Sequence, residues 1–76
     1  MPHVIVKLQS GRSDEQKIRI ADAVTKAVMA NAGCGEGAVS VSIEDIKPNE
    51  WTEKVYKPDI LGGRGKLYNK PGYNPL

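Results

Sequence analysis

The 76 residues carry 11 Lys plus Arg against 9 Asp plus Glu, a net charge of +2, with one cysteine and one histidine, and read as a single domain over 1–76. Those counts exclude a disulfide framework and a Cys- or His-rich metal centre, and the dispersed charges argue against a nucleic-acid partner. No apolar run can cross a membrane and no signal-peptide pattern opens the chain; the free Cys34 thiol fits a reducing compartment, so a cytoplasmic location is expected.

Val4, Val6 and Leu8 alternate with His3, Ile5 and Lys7, which predicts a strand over residues 3–8. Pro2 falls on the face of Val4, Val6 and Leu8. Ser13 followed by Gln16 is a capping box, and Asp14 and Glu15 put negative charge in the first turn of the helix it opens. Ile18, Ala21, Val24, Ala27 or Val28, and Ala32 repeat at three- and four-residue steps as its apolar stripe. Gly33 is placed as the left-handed cap that ends it. Val39, Val41 and Ile43 then alternate with Ser40, Ser42 and Glu44 in a second strand. Strand, helix and strand in this order form a βαβ unit with parallel strands.

Beyond Pro48, "EWTEKVYKPDI" predicts a short helical turn broken before Pro58. "LGGRGKLYNKPGYNPL" predicts loops, with a short strand or hairpin around Lys66 to Asn69. There is no Phe, and Trp51, Tyr56, Tyr68 and Tyr73 all lie in the last third, so large apolar contact surfaces come from this arm. The expected fold is α+β: two parallel strands, one main helix and an irregular C-terminal arm. Two strands leave a bare sheet face and open edges, and a chain this short buries a modest core. Homo-oligomerisation is therefore expected to complete the fold.

The position of Pro2 gives it a chemical meaning. Once Met1 is removed, its nitrogen is a secondary amine at the start of a strand, on the side a helix covers. Partial desolvation lowers the pKa of an α-amine from roughly 7.7–8.0 towards neutrality, where it can act as a general base. Arg12 precedes the helix N-terminus and is a candidate for binding a carboxylate, although alone it reads as an exposed loop arginine. Six strand residues at about 3.3 Å each hold Pro2 and Arg12 roughly 20 Å apart. They can share a site only across subunits. "GGRGK" lacks the spacing of a phosphate-binding loop, which leaves Arg64 as a secondary anion contact. The modest positive charge suits small anionic ligands.

Met1–Pro2 running straight into a strand, "GRSDEQK" at 11 to 17 and the βαβ spacing to "AVSVSIEDI" together resemble the 4-oxalocrotonate tautomerase family. "EWTEKVYKPDI" and "LYNKPGYNP" are similar to a longer bacterial subgroup, related to the dimeric phenylpyruvate-type tautomerases. The resemblance implies a cofactor-independent keto–enol tautomerase, provided Met1 is removed. Pro2 would be the catalytic base that moves a proton between the enol oxygen and the carbon of a 2-keto acid. Arg12 would bind the substrate carboxylate from a neighbouring subunit, and Trp51 would keep the pocket apolar. Ser40 stands where the best-known members carry an arginine that polarises the keto oxygen, a task then left to Arg64, Lys7 or water. A hydroxyl stabilises a developing enolate less than a cation does. A small 2-keto or enol monocarboxylic acid, aryl or alkyl, is therefore expected rather than a dicarboxylate. Two other readings stay open: a dehalogenase or hydratase of the same superfamily with Pro2 as acid, and a catalytically silent oligomeric anion-binding protein.

Overall fold

A computed structural model describes all 76 residues. Strand β1 (His3–Gln9) leads into helix α1 (Asp14–Ala32), and after one 3-10 turn (Glu36–Ala38) the chain returns as β2 (Ser40–Ile46). The two strands are parallel, in the register His3 with Ser40, Val4 with Val41, Val6 with Ile43 and Leu8 with Asp45. The capping box at the start of α1 is complete: the Gln16 N–H donates to Ser13 Oγ at 3.2 Å and the Ser13 N–H donates to Gln16 Oε1 at 2.9 Å. Gly33 ends α1 with φ 69° and ψ 45°, and its N–H bonds to the Met29 carbonyl. An L side chain pays for left-handed backbone, so Gly33→Ala is expected to destabilise the protein by about 1 kcal/mol. Thermal unfolding would register that as a midpoint lowered by about 4–8 °C.

Helix α1 lies over the sheet face that carries Val41 and Ile43, both half-buried, and Lys17 of α1 pairs with Asp45 of β2. The covering face corrects the expected stripe. It runs through Lys17, Ile20, Ala21, Val24, Thr25, Val28 and Met29, whereas Ile18 is 68% exposed and Ala27 and Ala32 are exposed too. Lys17 explains the phase error. Its aliphatic stem occupies an inward position while its ammonium reaches a carboxylate at the sheet end, so a charged residue stands where the pattern asks for an apolar one.

The C-terminal arm is more ordered than expected. After a 3-10 turn (Pro48–Glu50), helix α2 (Thr52–Leu61) runs straight through Pro58 with the wide i→i+5 hydrogen bonding of a π-helix. An α-helix would drive the proline ring into the carbonyl four residues back; the wider turn relieves that clash, and the proline lacks only one N–H of the ladder. No strand or hairpin forms around Lys66 to Asn69, which is loop. Helix α2 sits on the side of β1 away from α1, where Lys7 pairs with Asp59. The hydrogen bond that Lys7 Nζ donates to the Asp59 carboxylate holds the ammonium protonated above the ordinary lysine range.

The buried residues are Val55 and Tyr56 of α2. Ile5, Ile18, Leu61 and Tyr68 are among the large apolar side chains left exposed. The chain exposes 5770 Å², against about 4,600 Å² for a self-sufficient monomer of its mass. Its radius of gyration of 13.7 Å exceeds the roughly 11.4 Å of a compact chain of this length. Surface and shape thus describe a unit whose interior is largely unpartnered. No helix is long and apolar enough to cross a membrane.

Candidate active site

A cleft of about 410 Å³ opens at the C-terminal end of β1, lined by Lys7, Leu8, Gln9, Arg12, Pro48, Trp51, Thr52, Tyr73 and Pro75. It lies where three segments meet. Strand β1 ends there, and the turn to α1 is made at Gly11, whose φ of 124° is open to glycine and strained for other residues. That turn carries Arg12 to the rim. The loop after β2 brings Pro48 and Trp51, and the arm returns to supply Tyr73.

Arg12 Nη1 donates to the Gln9 carbonyl at 2.9 Å, which fixes the guanidinium over the strand end. It pairs with no carboxylate of its own chain, so most of its donor fork is free for an anion. Flat aromatic rings line the same cleft. Trp51 Nε1 donates to Tyr73 Oη at 2.9 Å, and the Tyr73 ring leans on buried Tyr56 with centroids 5.6 Å apart and planes at 49°. A free cation and aromatic rings in one cleft suit a carboxylate with an apolar body. Lys7 reaches the same cleft, but its ammonium is held by Asp59.

Arg12 and Trp51 therefore meet in one cavity, while the other candidates lie elsewhere. Pro2 is at the far end of β1, half-buried, with its carbonyl accepting from the Ser40 N–H at 3.1 Å. Ser40 is thus the neighbour of Pro2 and not of Arg12, and its Oγ shares a 2.7 Å hydrogen bond with His3 Nδ1. Arg64 sits in the exposed loop after α2 and lines no cavity of the chain. Tyr73 is the cleft residue that sequence reasoning passed over. The signal available was the concentration of aromatics in the arm, which says that they make contacts but not which ones.

The family model for the tautomerase enzymes matches residues 2–54. A Xylella fastidiosa protein named "Probable tautomerase" is 41% identical over 76 residues, which is 100% of this chain and 93% of that protein. Tautomerase PptA of Cronobacter sakazakii is 32% identical over 74 residues, covering 96% of this chain and 97% of its own length. Among solved structures, a 4-oxalocrotonate tautomerase isozyme of Methylibium petroleiphilum superposes with a TM-score of 0.64 at 34% identity, over 66% of this chain and 81% of that one. YwhB, a homologue of 4-oxalocrotonate tautomerase, does so with a TM-score of 0.59 at 41% identity, over 60% and 75%.

Proposed function

The chain belongs to the tautomerase family, enzymes of the isomerase class, and from that premise we propose that it interconverts the keto and enol forms of small 2-keto monocarboxylic acids, without a cofactor, using the Pro2 amine as general base. Removal of Met1 frees the amine. The base takes the proton from the enol hydroxyl and returns it to the adjacent carbon, so the reaction is an internal transfer with no net loss of atoms or electrons. Arg12 holds the carboxylate, and Trp51 packs on the body of the substrate and keeps water from the amine.

The observation that carries this reading is the meeting of Arg12 with Trp51 and Tyr73 in one cleft, a cation together with aromatic rings. Its second support is the strand that separates that cleft from Pro2. One chain cannot bring the two ends of β1 together, so the working unit is a homo-oligomer in which Pro2 of one subunit enters the cleft of a neighbour. The surface exposed in excess of a stand-alone chain agrees with such an assembly. Ser40 lies beside Pro2 but is neutral, and Arg64 lines no cavity of the chain, so neither is assigned the charge-stabilising role of an arginine. That favours a substrate with a single carboxylate.

The experiment that tests the reading is the intact mass of untagged protein after exposure to a halogenated 2-keto acid. The expected result is loss of Met1 and one adduct, mapped by peptide sequencing to the Pro2 nitrogen. Met1 retained with Pro2 unlabelled would overturn the mechanism.

A further inference from the structure

Part of the wall of the cleft is formed by a segment that little else holds. Between Gly63 and Leu76 no backbone group bonds to the backbone of the rest of the chain. The hydrogen bond that ties this arm down is the one Trp51 Nε1 donates to Tyr73 Oη. Its second fixture is the packing of Tyr73 on Tyr56, which is 6% exposed and does not move aside cheaply. Tyr73 and Pro75 then line the cleft beside Trp51 and Pro48, so two flat aromatic groups and two proline rings shape its apolar side. The arm lies beyond residues 2–54, the part matched by the family model. What it contributes is thus an addition to the shared βαβ frame, placed against the group that binds the carboxylate.

We infer that Tyr73 is the specificity-determining residue of the cleft: latched by Trp51, it holds the arm as a wall that selects carboxylates bearing a flat aromatic tail over those bearing a short alkyl tail. The identification of the ligand as a 2-keto or enol acid rests on the function proposed above. The selectivity for the tail does not. A planar ring laid against Trp51 and Tyr73 gains stacking on top of area removed from water, whereas a two-carbon tail fills little of the space and loses little when one wall is withdrawn. Tyr73 also accepts the indole N–H, so its removal frees the arm as well as removing the ring.

Trp51 is the sole tryptophan, so its fluorescence reports directly on occupancy of the cleft. Wild type, Tyr73→Ala, Tyr73→Leu and Tyr73→Phe are titrated with 3-phenylpropionate and with butyrate, and assayed with the enols of phenylpyruvate and 2-ketobutyrate. Wild type is expected to prefer the phenyl acid, and Tyr73→Ala to weaken its binding about tenfold while changing butyrate less than about twofold. Tyr73→Phe keeps the ring but loses the hydroxyl that latches the arm, and is expected to keep a reduced preference, between those of wild type and Tyr73→Leu. Tyr73→Leu, with apolar bulk but no ring, should lose it, and serves if the alanine variant does not fold. Equal weakening of both acids, or a preference unmoved by Tyr73→Leu, would overturn the assignment. If wild type turns over neither enol and the binding preference still collapses, the tautomerase reading fails and the role of Tyr73 stands. If both enols turn over and the ratio of their kcat/KM values is unmoved in Tyr73→Leu, the reverse holds.

Discussion

Extending the chain by a few residues ahead of Met1, so that the Pro2 nitrogen stays in a peptide bond, is expected to lower kcat/KM by about 10²–10⁴-fold. An amide nitrogen has no usable basicity, and a positioned base accounts for a factor of that size. The extension leaves the rest of the fold alone. Pro2 touches β2 through its carbonyl, not its nitrogen, and Met1 is fully exposed, so nothing in the chain opposes added residues there. Circular dichroism should therefore stay unchanged while turnover of an enol monocarboxylate disappears, with the elution volume showing that the extended chains still assemble. Cleaving the extension back to Pro2 should restore it. Activity undiminished in the extended protein would exclude the amine as base.

The second large effect concerns Arg12. Arg12→Ala is expected to raise KM by about ten- to a hundredfold, the worth of charge-assisted hydrogen bonds to a carboxylate. The structure adds a sharper form of this test, because Pro2 and Arg12 stand at opposite ends of one strand. Protein with Pro2 blocked by an extension and protein carrying Arg12→Ala are each expected to be weak. Unfolded together and refolded, they should regain activity, since a mixed interface joins a free Pro2 from one chain to an intact Arg12 from the other. Recovery measured against unmixed controls checks the arrangement. Its absence, with oligomers of mixed composition confirmed by mass, would place the two residues in separate sites.

The parts of the fold that could be read from the residues are those set by local rules. The Ser13–Gln16 box, the Gly33 cap and the strand alternation each depend on neighbours within one turn or one pleat, and the structure forms them as expected. Ile18 misled because it is apolar yet exposed, while Ile20 and the stem of Lys17 serve the inward face. Pro58 misled because the rule that proline ends a helix presumes i→i+4 geometry, and α2 is wider than that. At the site, Arg12 was legible from its place before a helix cap. It shares a cleft with Trp51, but the hydrogen bond from Trp51 to Tyr73 spans 22 residues with no periodicity to announce it.

Strand β1 can be regarded as a ruler. Its seven residues, His3–Gln9, set the distance between the group proposed to move the proton and the group proposed to hold the acid. A side-chain change on the ruler leaves its length alone, but a one-residue insertion turns every following side chain to the other face and advances one end by about 3.3 Å. Substitutions along β1 and changes in its length are therefore different kinds of event for this protein. The first adjusts the walls of a site; the second separates the two halves of its chemistry.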